Sequence, residues 1–353
     1  MRCPNLEELP DPHGNKTGWP WTEETPQLPD RTPDGSPWPR ITIVTPSFNQ
    51  GGFIEETIRS VLLQGYPDLE YILIDGGSSD DSLNIIQRYS PFLAYWVSEP
   101  DKGQSHAINK GLAKATGQIH AYLNSDDLYE PGVLRTLVAQ KVTLEHGKSF
   151  LMAGGCTFFE ETGPTRIEKS YHPVKLIEFL NACPLIQPAT FWSGDLTLSE
   201  GGFDEKLSFC FDNEFFLRLV LRGIVPTIIP HELARFRYHR ESKSKSRQNL
   251  YFEESILLTE KYWKSASLSY REKERLVEEM DKRRRYLQTF ITWKKSGRFA
   301  AWGDFLLMLM RYPRLIARRE ILGLAHRLLS SQDLRQQPAS VAPERSIQRL
   351  YGL

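Results

Sequence analysis

Between Ile41 and Asn124 the chain alternates four short apolar runs with three amphipathic segments, and this alternation constrains the fold more than any other feature of the sequence. The apolar runs are ITIVTPSFN from Ile41, LEYILID from Leu69, FLAYWVSEP from Phe92 and QIHAYLN from Gln118. Between the first two, FIEETIRSVLLQGYP sets Phe53, Ile54, Ile58, Val61 and Leu62 on one helical face and stops at Gly65 and Pro67. SSDDSLNIIQRY has the form of a capped helix, and GQSHAINKGLAKATG that of a helix with Ile108 and Leu112 turned inward. The order is β-α-β-α-β-α-β within about 85 residues, and strands joined by helices of that length lie parallel in one sheet. An α/β fold is the expectation.

In such a sheet, ligands bind beyond the carboxyl ends of the strands. Here those ends are Pro46 to Asn49, Asp75 to Ser78, Glu99 to Gly103 and Asn124 to Asp127. All are polar, three carry acids, and none has the GxGxxG turn of a dinucleotide fold, so a nucleotide with a metal is favoured. In AYLNSDDLYEPG the adjacent Asp126 and Asp127 can hold Mg²⁺ or Mn²⁺, which take oxygen ligands and share their shell with substrate phosphates. The same pair before Pro131 is also ordinary turn chemistry, and Asp75 can cap the turn after its strand.

Lys+Arg and Asp+Glu both number 44, so no global field favours nucleic acid. Cys3, Cys156, Cys183 and Cys210 lack CxxC spacing, which suits reduced thiols in a cytoplasmic protein. His231-Glu232 has no second His at zinc-binding spacing. The N-terminus has no signal-peptide texture, and the apolar run Phe305 to Met310 is too short to span a bilayer.

Residues 1–39 hold Pro4, Pro10, Pro12, Pro20, Pro26, Pro29, Pro33, Pro37 and Pro39 and form a Pro-rich arm, extended or disordered, that Trp19, Trp21 and Trp38 would help to pack. Past residue 133, SFLMAGGCTFF predicts a strand, VKLIEFLN a short helix, SFCFDNEFFLRLVLRG an acidic turn entering a helix, and VPTIIPHELARFRYH a strand pair. From about Tyr251 the chain is helical and basic: Lys282 to Arg285, Lys294, Lys295, Arg298, Arg311, Arg314, Arg318 and Arg319 alternate with Trp293, Phe299, Trp302 and Leu306. Such helices either rest on an anionic lipid surface or pack against their own domain. The expected division is 1–39 arm, 40–248 main domain and 249–353 helical extension.

ITIVTPSFNQGGFIEETIRSVLLQGYPDLEYILIDGGSSDDS, EPDKGQSHAINKGLAKATG, LNSDD, GGFDEKL with FDNEFFLRL, and RFRYHRESKS occur in this order between about Trp38 and Ser246. Together they resemble the family 2 glycosyltransferases of GT-A fold. The resemblance implies a Rossmann-like, mostly parallel sheet flanked by helices, with the C-terminal helices as an extension. It also implies inverting transfer of one sugar from a nucleotide-diphosphate donor, assisted by Mg²⁺ or Mn²⁺, to a hydroxyl of a glycan or lipid-linked acceptor. Cell-surface polysaccharide biosynthesis on the cytoplasmic side, with peripheral membrane contact and no nucleic acid partner, fits that reading. Pro46, Ser47 and Asn49 would line the nucleotide pocket, Asp75 would accept from the base or ribose, and Asp101, Lys102 and Gly103 would form the loop approaching the donor. Asp126 and Asp127 would hold the metal, with His239 reaching the metal or diphosphate. The family's usual Asp-x-Asp is Asn124-Ser125-Asp126 here, and Asn124 would bond a ribose hydroxyl. Asp212 aligns with the base, with Glu214 two residues on and Phe211 where the family usually has an acid. Ser242, Lys243 and Ser244 would sit on a loop over the donor, and Gln187 near the acceptor. Two rivals remain: a non-catalytic nucleotide-sugar-binding or scaffold protein of the same fold, and a nucleotidyltransferase, for which TPSFNQGGF lacks a basic diphosphate loop.

Overall fold

A computed structural model of the chain describes residues 1–12, 14–141, 148–160, 163–170, 176–181, 183–239, 248–264, 268–313, 315, 325 and 328. It divides into two compact units, Met1–Val174 with Pro184–Tyr238, and Lys175–Cys183 with His239–Leu353.

The first unit opens with the alternation seen in the sequence. β1 is Ile41–Ser47, α1 Ile54–Leu62, β2 Leu69–Asp75, α2 Ser82–Tyr89, β3 Tyr95–Ser98, α3 Gln104–Leu112 and β4 Ile119–Tyr122. β1 pairs in parallel with β2 and β4, and β2 with β3. Helices cover both faces of such a sheet, so every residue of β1 is buried, and its polar members need internal partners. Thr42 finds one in Glu70, donating to Oε2 at 2.5 Å.

Next come β5 Leu128–Tyr129, α4 Val133–Lys141, β6 Leu151–Glu160, β7 Gly163–Lys169, α5 Leu176–Asn181, β8 Thr190–Ser193, α6 Gly194–Glu200, α7 Phe211–Leu221 and β9 Pro226–Arg237. The nine-stranded sheet has the order β3-β2-β1-β4-β8-β6-β9-β5, with β7 on β6. β8 runs antiparallel to β4 and β6, and β5 antiparallel to β9. VPTIIPHELARFRYH contains one long strand rather than a strand pair. Its pairing with β6 shifts register between Ala153 and Cys156, opposite Ile228 to Ala234, and Pro230, which has no N–H to donate, falls in that irregular stretch.

The Pro-rich arm is extended and packed on the sheet unit, with Cys3, Leu9, Trp19 and Trp21 buried and Trp38 half-buried. Arg59 of α1, almost wholly buried, ties it down: its guanidinium donates to the carbonyls of Pro10, Pro20 and Trp21 at 3.0, 3.0 and 3.2 Å and to the Tyr89 hydroxyl at 3.0 Å. Trp19 Nε1 donates to Tyr129 O at 2.8 Å. The arm thereby braces the chain just past Asp126 and Asp127.

The second unit contains α5 with α8 Gln248–Tyr262, α9 Tyr270–Ser296 and α10 Arg298–Arg311. Ser269 and Glu272 form a reciprocal cap on α9, and Gly297, at φ 83°, turns the chain into α10. Trp293, Ala301, Phe305, Met308, Leu315 and Leu328 make its core. The basic run of α9 is engaged internally: Lys282 pairs with Glu278 and Glu279, Arg284 with Glu260, and Arg285 with Asp281, while Arg283 is buried near Ser255. Phe299, Leu306, Leu307 and Met310 of α10 are exposed. Among the described residues no helix is long and apolar enough to cross a membrane. Arg314, Arg318 and Arg319 lie outside the described residues.

Candidate active site

The carboxyl ends of β1, β2, β3 and β4 deliver the loops that carry the expected site. Asp75, at the end of β2, is buried, and its carboxylate is taken up by its own surroundings. Oδ2 accepts from Gly77 N, Ser78 N and Ser98 Oγ at 3.1, 2.9 and 2.7 Å, and Oδ1 from Ser78 Oγ at 2.5 Å. Asp75 therefore caps the turn and joins β2 to β3. The loop it shapes is sewn to the loop after β1: Asn49 N donates to Ser78 Oγ at 2.7 Å, Ser79 N to Asn49 Oδ1 at 2.9 Å, and Gly51 N to Asp80 Oδ2 at 2.8 Å. Asn49 adopts φ 52°, a left-handed conformation that Asn tolerates better than most residues.

Pro46 and Ser47 end β1 at this seam. The buried Ser47 Oγ meets no hydrogen-bond partner among the described residues, nor does the buried Gln50 Oε1. Buried polar atoms are nearly always bonded, to protein groups or to ordered water, so both are open to a further polar partner. Beside them Phe48 is 59% exposed. A Cβ on Gly76 would lie 2.7 Å from Asp101 Oδ2 and 3.4 Å from Phe48 Cδ2, so Phe48, Gly76 and Asp101 close around one point. Phe48 was missed in the sequence, although a large aromatic between Ser47 and Asn49 in a turn is a usable signal. Asp101 Oδ1 accepts from Gly103 N at 2.7 Å, and Lys102 and Gly103 are exposed just ahead of α3.

After β4, Asn124 sits in a chain of amides. Gln104 Nε2 donates to Asn124 Oδ1 at 2.6 Å, and Asn124 Nδ2 donates to Asp127 Oδ2 at 3.1 Å and faces Gln187 Oε1 at 3.4 Å. Gln187 Nε2 donates to Tyr122 O at 2.9 Å, which places Gln187 beside Asn124. The two aspartates are not equivalent. Asp127 is fully buried, with Oδ1 accepting from Arg237 N at 3.0 Å, whereas Asp126 is half-buried. Burial, and then the neighbouring Asp126 carboxylate, push the Asp127 pKa well up, while the Arg237 and Asn124 donors pull it part of the way back.

Asp212 lies in the first turn of α7 and is half-exposed, with Oδ1 accepting from Asn213 N at 2.7 Å. Glu214, two residues on, is buried and bound by Arg218 Nε at 2.9 Å, and Arg218 also donates to Glu200 O and Gly202 O at 2.6 and 2.5 Å. Phe211 packs against Tyr122 and Phe203, at ring separations of 6.1 and 5.6 Å. That contact fastens the start of α7 to the end of β4, two residues before Asn124, and explains an aromatic rather than an acid at 211. His239 is half-buried and follows β9 by one residue, in the second unit. Ser242, Lys243 and Ser244 lie outside the described residues.

Among the described residues no three His, Cys, Asp or Glu side chains cluster to make a metal cage. A single accessible carboxylate at a strand mouth still fits Mg²⁺ or Mn²⁺, which are held by one or two carboxylates and completed by substrate phosphates and water.

A sequence profile described as Glycosyl transferase family 2 matches residues 42–178. An uncharacterized glycosyltransferase of Mycobacterium tuberculosis is 34% identical over 187 residues, spanning 52% of this chain and 70% of that protein. The glycosyltransferase TuaG of Bacillus subtilis, named for teichuronic acid biosynthesis, is 33% identical over 123 residues, 34% of this chain and 45% of its own. Among solved structures, S. aureus TarS 1-349 in complex with UDP superposes with a TM-score of 0.54 at 17% identity, covering 82% of this chain and 86% of that one. The mannosyltransferase PcManGT from Pyrobaculum calidifontis, in complex with GDP-Man and Mn²⁺, gives 0.50 at 18% identity, with 88% and 85% covered. At such identities the structural likeness speaks for the fold. The α/β sheet with polar, acid-bearing loops at the carboxyl ends of its parallel strands shares its fold with these structures. The chain belongs to glycosyltransferase family 2 and is a glycosyltransferase.

Proposed function

We propose that the chain transfers one sugar, with inversion, from a nucleoside-diphosphate sugar to a hydroxyl of a glycan or lipid-linked acceptor in cell-surface polysaccharide biosynthesis. One observation carries the reading: at the mouth of the parallel strands Asp126 stays accessible while Asp127 beside it is buried and bonded on both oxygens. Asp126 would hold Mg²⁺ or Mn²⁺, and Asp127 would serve as a brace. When bound, the cation supplies Lewis-acid stabilisation of the departing diphosphate.

The remaining roles fall to groups of the chain itself. The exposed Phe48 ring offers a face for the base. Pro46, Asn49 and Asp75 hold the loop that frames it. Lys102 and Gly103 approach the diphosphate, and Asn124 positions the aspartate corner against the ribose side. Asp212 takes the proton of the acceptor hydroxyl as it attacks from the face opposite the leaving group. Glu214, committed to Arg218, is the poorer candidate. Residues 40–248 form the transferase domain, 1–39 its arm and 249–353 the helical extension. Exposed Phe299, Leu306, Leu307 and Met310 support contact of that extension with the cytoplasmic membrane surface. The UDP-GlcNAc complex of TarS, the GDP-Man complex of PcManGT and the name of TuaG support the substrate class.

The test is release of nucleoside diphosphate from a panel of UDP-, GDP- and dTDP-sugars with Mn²⁺. Release from one nucleotide class by the wild-type protein, lost in Asp126→Ala, supports the proposal. Release equal in wild type and Asp126→Ala, or none from any donor, removes it.

A further inference from the structure

We infer that Arg237 is a positioning residue for the reaction, setting the Asp126 carboxylate in place through its backbone. The inference rests on the proposed role of Asp126, and what it adds is how that side chain is aimed. β5 pairs antiparallel with β9, Leu128 opposite Arg235 and Tyr129 opposite Ala234. Continued by two residues, that register sets Arg237 opposite Asp126, and the bonds are those of such a pair extended by side chains. Arg237 N donates to Asp127 Oδ1 at 3.0 Å and Arg237 Nε to Asp126 O at 3.0 Å. Its Nη2 reaches across to Glu56 Oε2 of α1 at 2.8 Å. From the next residue of α1, Thr57 Oγ1 donates to Asp127 O at 2.8 Å.

Both carbonyls of the aspartate corner are thus held by side chains, one from Arg237 and one from α1. The guanidinium itself has little freedom. It lies 5.2 Å from the ring centre of Phe53 and 4.5 Å from that of Phe159, and the Arg237 side chain is 12% exposed. A guanidinium can serve a carbonyl and a carboxylate at once through two rigidly related nitrogens, which an ammonium cannot do. With Asp127 buried behind it and Asp126 O fixed, the Cα–Cβ bond of Asp126 leaves the corner in one direction. Catalysis is sensitive to that direction, because displacements on the order of 1 Å cost about a hundredfold in rate.

Two residues away the fold supplies its own control. Arg235 binds Glu130 through Nε and Nη2 at 2.8 and 2.7 Å and feels Glu56 only through space, whereas Arg237 binds Glu56 directly. Arg235 ties the same pair of strands together without aiming Asp126.

The experiment compares wild type, Arg237→Lys, Glu56→Gln and Arg235→Lys by donor turnover, and by calorimetric titration of Mn²⁺ with the nucleoside diphosphate that wild type binds. Arg237→Lys should lower kcat by about a hundredfold with donor KM within about threefold, and weaken Mn²⁺-dependent nucleotide binding about tenfold. Glu56→Gln, which leaves Arg237 in place with a neutral acceptor for Nη2 but removes the charge that holds the guanidinium, should lower kcat about tenfold, and it stands in if Arg237→Lys does not fold. Arg235→Lys should keep wild-type kcat and binding. Unchanged kcat and binding in Arg237→Lys or Glu56→Gln, or an equal loss in Arg235→Lys, would overturn the inference while leaving the transferase site intact. A wild-type protein without metal-dependent nucleotide binding would overturn the site itself, and the inference with it.

Discussion

Replacing Asn124 by Asp exchanges the amide that donates to Asp127 Oδ2 at 3.1 Å for a second carboxylate at the same place. The bond lost is to a buried carboxyl group, worth about 1.5 to 3 kcal/mol. Two like charges about 3 Å apart at an effective dielectric of about 20 add repulsion of about 5 kcal/mol. Proton uptake limits that repulsion, because the Asp127 pKa already stands well above its ordinary value and is raised again by the new neighbour. The net expectation for Asn124→Asp is a loss of about 2 to 5 kcal/mol near pH 7.5. A carboxyl whose folded pKa is raised costs stability in full above that pKa, and the cost shrinks as the pH falls from there to the unfolded pKa. The difference from wild type should therefore shrink by up to about 1.4 kcal/mol per pH unit on acidification. Asn124→Ala, which removes the donor without adding charge, should lose less and show a weaker pH dependence of the same sign. The assay is urea unfolding followed by tryptophan fluorescence, in EDTA so that no cation offsets the charge. An Asn124→Asp protein as stable as wild type near neutral pH, or a deficit that does not shrink in acid, would refute the reasoning.

Three further outcomes follow from other contacts. Arg59→Met strands the carbonyls of Pro10, Pro20 and Trp21 in a buried site and should cost at least about 3 kcal/mol in urea unfolding, with faster proteolysis of residues 1–39. A loss under about 1 kcal/mol contradicts the clamp. His120 lies in β4 with Nδ1 2.9 Å from Thr197 Oγ1, and burial pushes its pKa below the ordinary 6.5. The unfolded chain takes the proton first, so stability should fall by up to about 1.4 kcal/mol per pH unit below about 6.5, and His120→Gln should flatten that part of the profile. Asp212→Asn should lower kcat by about 10² to 10⁴ while nucleotide binding stays unchanged, and retention of more than about a tenth of the rate removes Asp212 as base.

The parallel half of the sheet was legible because β1, β2 and β4 are buried on both faces and each helix shows one apolar face, both of which are local patterns. The loops at the strand ends followed from that order alone. The other half was not legible in this way. β5 is two residues long, β8 is four, and β9 carries Pro230 through a register shift that only its partner β6 reveals. At the site, the residue types and loops were visible, but the division of labour among the acids was not. Asp75, Glu214 and Asp127 are bonded to neighbours that spacing does not disclose: Ser98, across a strand; Arg218, whose bonds also reach Glu200 and Gly202; and Arg237, from a strand more than a hundred residues on. Asp126 and Asp212 are only partly buried, which spacing does not disclose either. Phe48 escaped notice because its exposure is a property of the folded turn.

The most direct test of the account is the thermal midpoint of wild-type and Asp126→Ala protein with UDP, GDP and dTDP in turn, each with Mn²⁺ and with EDTA. Nucleotide at about a hundred times its dissociation constant adds about 2.7 kcal/mol, enough to raise the midpoint by a few degrees. A rise with one nucleotide that needs Mn²⁺ and is absent in Asp126→Ala is the predicted result. A rise that survives the substitution, or no rise with any nucleotide, would contradict the assignment of Asp126 to the donor site.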